Sequence, residues 1–375
     1  MISMCTKHFT AAVVRQKGGP FVLENVSIAS LRDDEVCVRI VATGMCHTDM
    51  VARDQVYPVP QPIVLGHEGA GVVEEVGMGV SKVAPGDHVV LTFLPCGQCR
   101  ACQEGAPASC ERFNGLNFSG QRHDGTHALQ DASGQELHDR FFGQSSFGQY
   151  AVANERNVVK VRKDAPLELL GPLGCGIQTG AGAAINSLKV GPGDSFAAFG
   201  GGAVGLSAVL GARVAGASTI FAIDVVPSRL QLAMQLGATH VINSREQDPV
   251  EEIRRITGSG VDSALDSTGI PAVIRSAVAA LRPRGRCGIV GASRPGTSLE
   301  LDANDVMQTC KHVFGIIEGD SVPDFFIPRL VELYMQGRFP FDKLVRFYDF
   351  DQINQAAEDS EKGIVLKPIV RISSP

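Results

Sequence analysis

Four cysteines fall within fifteen residues of this 375-residue chain, at Cys96, Cys99, Cys102 and Cys110, in the spacing C-x2-C-x2-C-x7-C. A loop that crowded with thiols has few ways to fold. Thiolates are soft donors, and four of them on a short loop can enclose a tetrahedral Zn²⁺ at roughly 2.3 Å each. Disulfides would need an oxidising compartment. The chain opens MISMCTKHF, where Lys7 and His8 interrupt any apolar run, so no signal peptide and a cytoplasmic location are expected. An iron–sulfur ligand run of the bacterial type closes with three spacer residues and a cysteine followed by proline. Here the last gap is seven and Glu111 follows, which favours a closed structural zinc site.

The length suggests two domains. With 44% hydrophobic and 20% charged residues the chain has ample apolar surface to bury and no mark of disorder. A formal net charge of −6 argues against nucleic acid or an anionic membrane as partner, so a small molecule is expected. Residues 195–216 carry Arg213 as their one charge, but six glycines interrupt them, which suits a buried strand, turn and helix better than a membrane span.

Residues 10–90 read as short strands and turns: Val36–Val41 and Ala70–Val76 are rich in β-branched residues, with Pro58, Pro60, Pro62 and Pro85-Gly86 between them. From about residue 190 the texture becomes βαβα. Strands are expected at 195–199, 219–223, 241–243, 263–266 and 286–290, and helices at 204–215, 228–236 and 272–281. Segments 347–350 and 367–372 read as strands that rejoin the first region. The expectation is a discontinuous catalytic domain (1–176 and 318–375) around an inserted doubly wound cofactor domain (177–317).

Gly200-Gly201-Gly202-Ala203-Val204-Gly205 fits G-x-G-x-x-G, with an expected strand before it and a helix after it. Such a turn allows close backbone approach, so that a pyrophosphate can sit on the helix N-terminus. Alone, the pattern equally serves strand-to-helix packing. Asp224, nineteen residues beyond Gly205 at the end of the next strand, would accept from a ribose hydroxyl and repel a 2′-phosphate, favouring NAD over NADP.

Cys46-His47-Thr48-Asp49 and Gly66-His67-Glu68 form a second constellation, with Cys175, between Gly174 and Gly176, as a distant third ligand. Two thiolates and one imidazole leave one tetrahedral position open, the mark of catalytic rather than structural zinc. Zinc held so acts as a Lewis acid on an alcohol oxygen. Asp49 could orient His67 through its other ring nitrogen. Cys5, Cys37, Cys287 and Cys310 are expected to be buried free thiols.

At these residues the chain resembles a zinc-dependent alcohol dehydrogenase of the medium-chain dehydrogenase/reductase superfamily. Gly66-His67-Glu68-x2-Gly71-x5-Gly77-x2-Val80 matches that family's zinc signature, and the cysteine lobe, Gly174-Cys175-Gly176 and the Gly200 turn follow in family order. The stretches FFGQSSFGQYAV (141–152), LLGPLGCGIQTGAGAAINSL (169–188) and GRFPFDKL (337–344) are similar to the bacterial aryl-alcohol and geraniol dehydrogenase branch. The resemblance implies a GroES-like, mostly β catalytic domain, a Rossmann domain, two zinc ions per chain and NAD. By matching position, Cys46, His67 and Cys175 would hold catalytic zinc, with Glu68 as a transient ligand. Thr48 would conduct the alcohol proton outward, Thr179 would pack beside the nicotinamide, Arg229 would contact the adenosine ribose, and Val290 would belong to the cofactor site.

Two positions depart from the family's pattern. His47 stands where many members carry an arginine facing the pyrophosphate, and Val51 where many carry the last histidine of a proton relay. Valine cannot relay a proton, so His47, or water near it, is expected to take that part. The expected reaction is reversible oxidation of a primary alcohol to an aldehyde, with hydride passing to nicotinamide. Phe93, Leu116, Phe118, Phe141 and Phe142 offer an apolar pocket wall suited to benzylic or allylic alcohols, although ordinary core packing would explain several of them equally well. Oxidation of short aliphatic alcohols or glutathione adducts, or a zinc-stapled NAD(H) sensor without catalysis, are the alternatives. The long segment 117–138 tilts the expected homo-oligomer toward a dimer rather than a tetramer.

Overall fold

The computed structural model describes residues 7–28 and 30–373, so Cys5 lies outside the described residues. The chain divides into two compact units. One runs through Cys175 and takes in Val322–Met335 and the segment from Asp342 onward; the other comprises Gly176–Ser321 and Gln336–Phe341.

The first unit is built on two sheets. An antiparallel sheet of five strands orders Ile63–Val64, Lys7–Val14, Val22–Ile28, Leu129–Asp131 and Glu136–Leu137. The second sheet centres on Glu35–Gly44, which pairs with Glu68–Val76, Tyr150–Asn154 and the C-terminal strand Lys367–Arg371. Val36, Val38, Ile40, Val73 and Val89 are buried on it, which is how β-branched residues fit a pleated, covered surface. Helix Pro323–Met335 carries Pro328 internally. That proline obscures its period in the sequence.

The second unit is a parallel sheet of six strands in the order His240–Asn243, Thr219–Asp224, Ser195–Phe199, Val261–Asp266, Leu281–Ile289, His312–Gly315. In chain order this is 3-2-1-4-5-6, the doubly wound arrangement whose ligand crevice opens at the carboxyl ends of the strands. Phe196, Ala197, Ala198 and Phe199 are all buried, as expected of a strand covered on both faces. Helix Ala203–Ala215 ends on Gly216, whose φ of 94° supplies the left-handed cap.

One expected helix runs too far. The helix read over 272–281 is Pro271–Ala279, and Leu281 already belongs to a strand. Arg282 precedes Pro283, whose ring excludes the helical region for its neighbour, and the chain extends instead. Helix Pro249–Thr257 was not anticipated: its inner face, Val250, Ile253 and Ile256 at three-residue spacing, fully buries only Ile253 and is outnumbered by charged residues. Its ends are nevertheless marked by Asp248, which accepts from the N–H groups of Val250 and Glu251, and by Gly258. No helix among the described residues is long and apolar enough to cross a membrane.

Candidate active site

Cys46 sits where strand Glu35–Gly44 hands over to helix His47–Arg53. Asp49, fully buried in that helix, ties the region together. Its Oδ2 accepts from the Cys46 N–H at 2.9 Å, and its Oδ1 accepts from the Gly66 N–H at 3.1 Å and from His67 Nδ1 at 2.9 Å. This places the imidazole proton on Nδ1 and leaves Nε2 a buried nitrogen with no hydrogen-bond partner. A ring held by a carboxylate on one nitrogen and bare on the other is set up as a metal ligand.

Cys175 arrives from far along the chain, after the turn Gly171–Gly174. A Cβ on Gly174 would stand 2.0 Å from the Leu91 carbonyl, so only glycine lets the backbone pass strand His88–Leu91 closely enough. One ligand atom from each of Cys46, His67, Glu68 and Cys175 lies within 4.8 Å of the others. A hydrogen bond from Cys175 outweighs burial and holds the Cys46 thiol well below its ordinary range, helped by the charges of Lys367 and His67. Burial pushes His67 down, but Asp49 and Cys46 raise it on balance. Two thiols, an imidazole nitrogen and a carboxylate converging in this way make a donor set that suits a soft divalent cation. Thr48 Oγ1 is 3.7 Å from Cys46 Sγ, and His47 opens the helix on its exposed side.

Two supports went unread in the sequence. Lys367, buried on the C-terminal strand, donates from Nζ to Glu68 Oε1 at 2.8 Å, Oε2 at 3.0 Å and the Met45 carbonyl at 3.3 Å. Burial pushes the Glu68 carboxyl up against the pull of Lys367, and the neighbouring Cys46 adds to the rise. Gln144, also buried, donates Nε2 to the carbonyls of His67 and Thr92 and accepts from the Gly69 N–H. Its only signal was its place in the FFGQSSFG run. Nothing local marks Lys367 at all.

The expected pocket residues divide. Phe142 stacks on His67 with ring centroids 4.5 Å apart, Phe141 meets the same ring edge-on at 5.4 Å, and Phe118 contacts both phenylalanines. Phe93 is fully buried against Phe113, and Leu116 lies partly exposed, lining a mostly polar cavity to which five arginines contribute.

At the cysteine lobe, Cys96 Sγ is 3.9 Å from Cys102 Sγ, and Cys99 Sγ is 3.9 Å from Cys110 Sγ. That is far too long for disulfides. It is close to the roughly 3.8 Å edge of a tetrahedron with Zn–S bonds of about 2.3 Å. Burial opposes ionisation of Cys96, but the N–H groups of Gln98 and Cys99 donate to its sulfur and bring it down to about 6. Burial and Cys99 push Cys102 up to about 12, so four thiolates there require a cation. Of the other free thiols, Cys37 and Cys287 are buried as expected, whereas Cys310 is exposed on a residue with φ of 53°.

In the second unit the glycine turn joins strand Ser195–Phe199 to helix Ala203–Ala215, with Ala203 and Val204 as the first helical residues. A Cβ on Gly205 would lie 1.8 Å from the Gly200 carbonyl, so that glycine serves strand–helix packing, while one on Gly202 would meet no protein atom within 4 Å. The open side at Gly202, above a helix N-terminus, fits a pyrophosphate. Asp224 Oδ2 accepts from the Gly201 N–H at 2.6 Å and faces Arg229 Nη1 at 3.8 Å. Its Oδ1 accepts from the N–H groups of Val225 and Val226. Val290 follows its strand directly, its N–H donating to the Asp266 carbonyl, and Thr179 Oγ1 is 3.4 Å from Glu318 Oε2.

Two thiol-rich metal-ligand sets and a doubly wound dinucleotide fold define a zinc-binding, nucleotide-dependent dehydrogenase. Comparison with known proteins narrows this. The family described as alcohol dehydrogenase GroES-like domain matches residues 32–163, and that described as zinc-binding dehydrogenase matches residues 203–333. Geraniol dehydrogenase of Castellaniella defragrans is 51% identical over 362 residues, covering 96% of each chain. The crystal structure of benzyl alcohol dehydrogenase from Acinetobacter calcoaceticus is 56% identical with a TM-score of 0.95, covering 98% of this chain and 100% of that one. An alcohol dehydrogenase zinc-binding domain protein from Burkholderia ambifaria is 61% identical, with a TM-score of 0.97 over the same shares. The chain belongs to the zinc-dependent alcohol dehydrogenases of the medium-chain dehydrogenase/reductase superfamily, in the aryl-alcohol and geraniol branch. It is an oxidoreductase of GroES-like and Rossmann architecture that works with zinc and a nicotinamide cofactor.

Proposed function

We propose that this enzyme interconverts benzylic or allylic terpenoid primary alcohols and their aldehydes with NAD as hydride carrier. The observation that carries the reading is the convergence of Cys46, His67 and Cys175 with His67 Nε2 buried and bare. Those three residues hold the catalytic zinc, with Glu68 as a transient ligand, and Cys96, Cys99, Cys102 and Cys110 hold the structural zinc. Zinc in the first site supplies Lewis acidity that lowers the pKa of an alcohol. Asp49 fixes the imidazole, and Phe141 and Phe142 keep its faces dry. Thr48 accepts the alcohol proton and passes it outward, and His47 or water near it completes the path in place of the valine at position 51. A His47→Gln variant is therefore expected to show an altered turnover-versus-pH profile, and an unchanged profile would remove His47 from the path. Asp224 selects NAD, Arg229 contacts the adenosine ribose, and Thr179 and Val290 position the nicotinamide.

The first compact unit serves as the catalytic domain and the second as the cofactor domain. The two aromatic rings on His67 favour flat or unsaturated substrates over ethanol. The enzyme works as a homodimer in the cytoplasm. An NAD⁺-coupled rate panel over benzylic, terpenoid allylic and short aliphatic alcohols, with zinc content measured, tests this. Benzylic and allylic alcohols should lead, with about two zinc ions per chain. A zinc-replete protein inert toward every alcohol would point instead to an NAD(H) sensor.

A further inference from the structure

The carboxyl edge of the six-stranded sheet carries a buried carboxylate that the reaction described above does not use. Strand His312–Gly315 is the last of the second mononucleotide half, and Glu318 follows it by three residues at 7% exposure. Its turn is unusual: Glu318, Gly319 and Asp320 all have positive φ, at 50°, 65° and 46°. Two side chains, one on each side of Gly319, forced into the left-handed region cost energy that the surroundings must offset. Those surroundings are specific. Asn186 Nδ2 donates to the Gly319 carbonyl at 3.1 Å, Ser187 Oγ donates to Asp320 Oδ2 at 2.6 Å, and a Cβ on Gly182 would fall 2.4 Å from the Gly319 carbonyl. Ser321 Oγ bridges the Glu318 carbonyl and Gln178 Oε1.

The result is that the Glu318 carboxylate is aimed back at helix Gly176–Gly182, with Oε2 3.4 Å from Thr179 Oγ1 and 3.4 Å from Gln178 Nε2. The other buried carboxylates at this edge are bound into their own loops: Asp266 accepts from Thr268 and Gly269, and Asp224 from Gly201, Val225 and Val226. Glu318 instead faces the residue assigned to the nicotinamide. In a doubly wound fold the first three strands, with Asp224 and the glycine turn, take the adenosine side, which leaves the carboxyl ends of the last three for the reactive ring.

We propose that Glu318 is a specificity-determining residue for the redox state of the cofactor, its carboxylate favouring the cationic ring of NAD⁺ over the neutral ring of NADH. This rests on the placement of the nicotinamide beside Thr179. A negative charge in a water-poor site interacts strongly with a cation and weakly with a neutral ring of the same shape. The bias therefore acts on the ratio of the two affinities, whereas a purely structural role would weaken both alike.

The test is fluorescence titration of the zinc-loaded enzyme with NADH, and with NAD⁺ by competition, in wild type, Glu318→Gln and Glu318→Asp. For Glu318→Gln the ratio Kd(NAD⁺)/Kd(NADH) should rise about tenfold or more, and for Glu318→Asp it should stay near wild type. A ratio unchanged in Glu318→Gln, or both affinities lost in parallel, overturns the inference. If Glu318→Gln does not fold, the Asp variant alone decides: retention of charge with an altered ratio in NADH's favour equally overturns it. A wild-type protein that binds neither cofactor form would sink the dehydrogenase reading itself, a result distinct from an unchanged ratio.

Discussion

Lys367 shows how an isolated residue can govern a site without leaving a trace in the local sequence. Cys46, His67 and Cys96 through Cys110 are visible because ligand chemistry restricts both residue type and spacing. A lysine within an apolar strand carries no such restriction, and its burial depends on Glu68, 299 residues away. The same distance problem explains why Cys175 could only be offered as a ligand by its flanking glycines. Replacing Lys367 by methionine leaves the Glu68 carboxylate buried without its cation, an error that costs about 3–5 kcal/mol in comparable sites. Lys367→Met should therefore lower the midpoint of chemical denaturation sharply, while Lys367→Arg retains most of the stability. Equal stability of the methionine and arginine variants would show that Glu68 is neutralised by other means.

At the scale of elements, boundaries were legible where a cap or a proline forces them and lost where tertiary contacts decide. Strand 195–199 and the helix behind it could be read because an unbroken apolar run meets glycines at both ends. The extension of strand Glu35–Gly44 beyond the β-branched run could not, since its last residues are held by partners from the C-terminus and from Glu68–Val76. The start of that strand is also where a charge network joins separate segments. Glu35 accepts from Arg122 Nε and Nη2 and from Arg140 Nη2, all at 2.7 Å, and from the Arg32 N–H at 3.0 Å. Burial pushes its carboxyl up, but the two guanidiniums win and bring it from an ordinary 4.5 down to about 2. A carboxylate depressed in the folded state stabilises fully above its unfolded pKa and loses that contribution as pH falls through the folded one. Glu35 should thus contribute about 3 kcal/mol at neutral pH, by the usual conversion of about 1.4 kcal/mol per unit. Measured as wild type minus Glu35→Gln in denaturant titrations, the difference should be flat above about pH 5 and shrink steadily toward pH 2. A difference that stays constant across that acid range would dissolve the network's claimed role.

For the whole molecule, the two-unit plan follows from the change of texture near residue 190, and the return of the C-terminal strand to Glu35–Gly44 makes the first unit discontinuous. Composition argued against nucleic acid and an anionic membrane as partners but had nothing to say about which nucleotide binds. That choice rests on Asp224, whose two oxygens already accept three N–H groups and face Arg229. Each carboxylate oxygen has two acceptor positions, so Oδ2 retains capacity for a ribose hydroxyl but none for a phosphate dianion, which its charge repels. Because a ligand that binds only the folded state stabilises it by RT ln(1 + [L]/Kd), saturating NAD⁺ at a hundredfold its Kd should add about 2.7 kcal/mol. Thermal unfolding should then shift upward by several degrees with NAD⁺ and by far less with NADP⁺ at the same concentration. Equal shifts with the two nucleotides would mean that Arg229, only 3.8 Å from the carboxylate, turns toward the phosphate and cancels the selection.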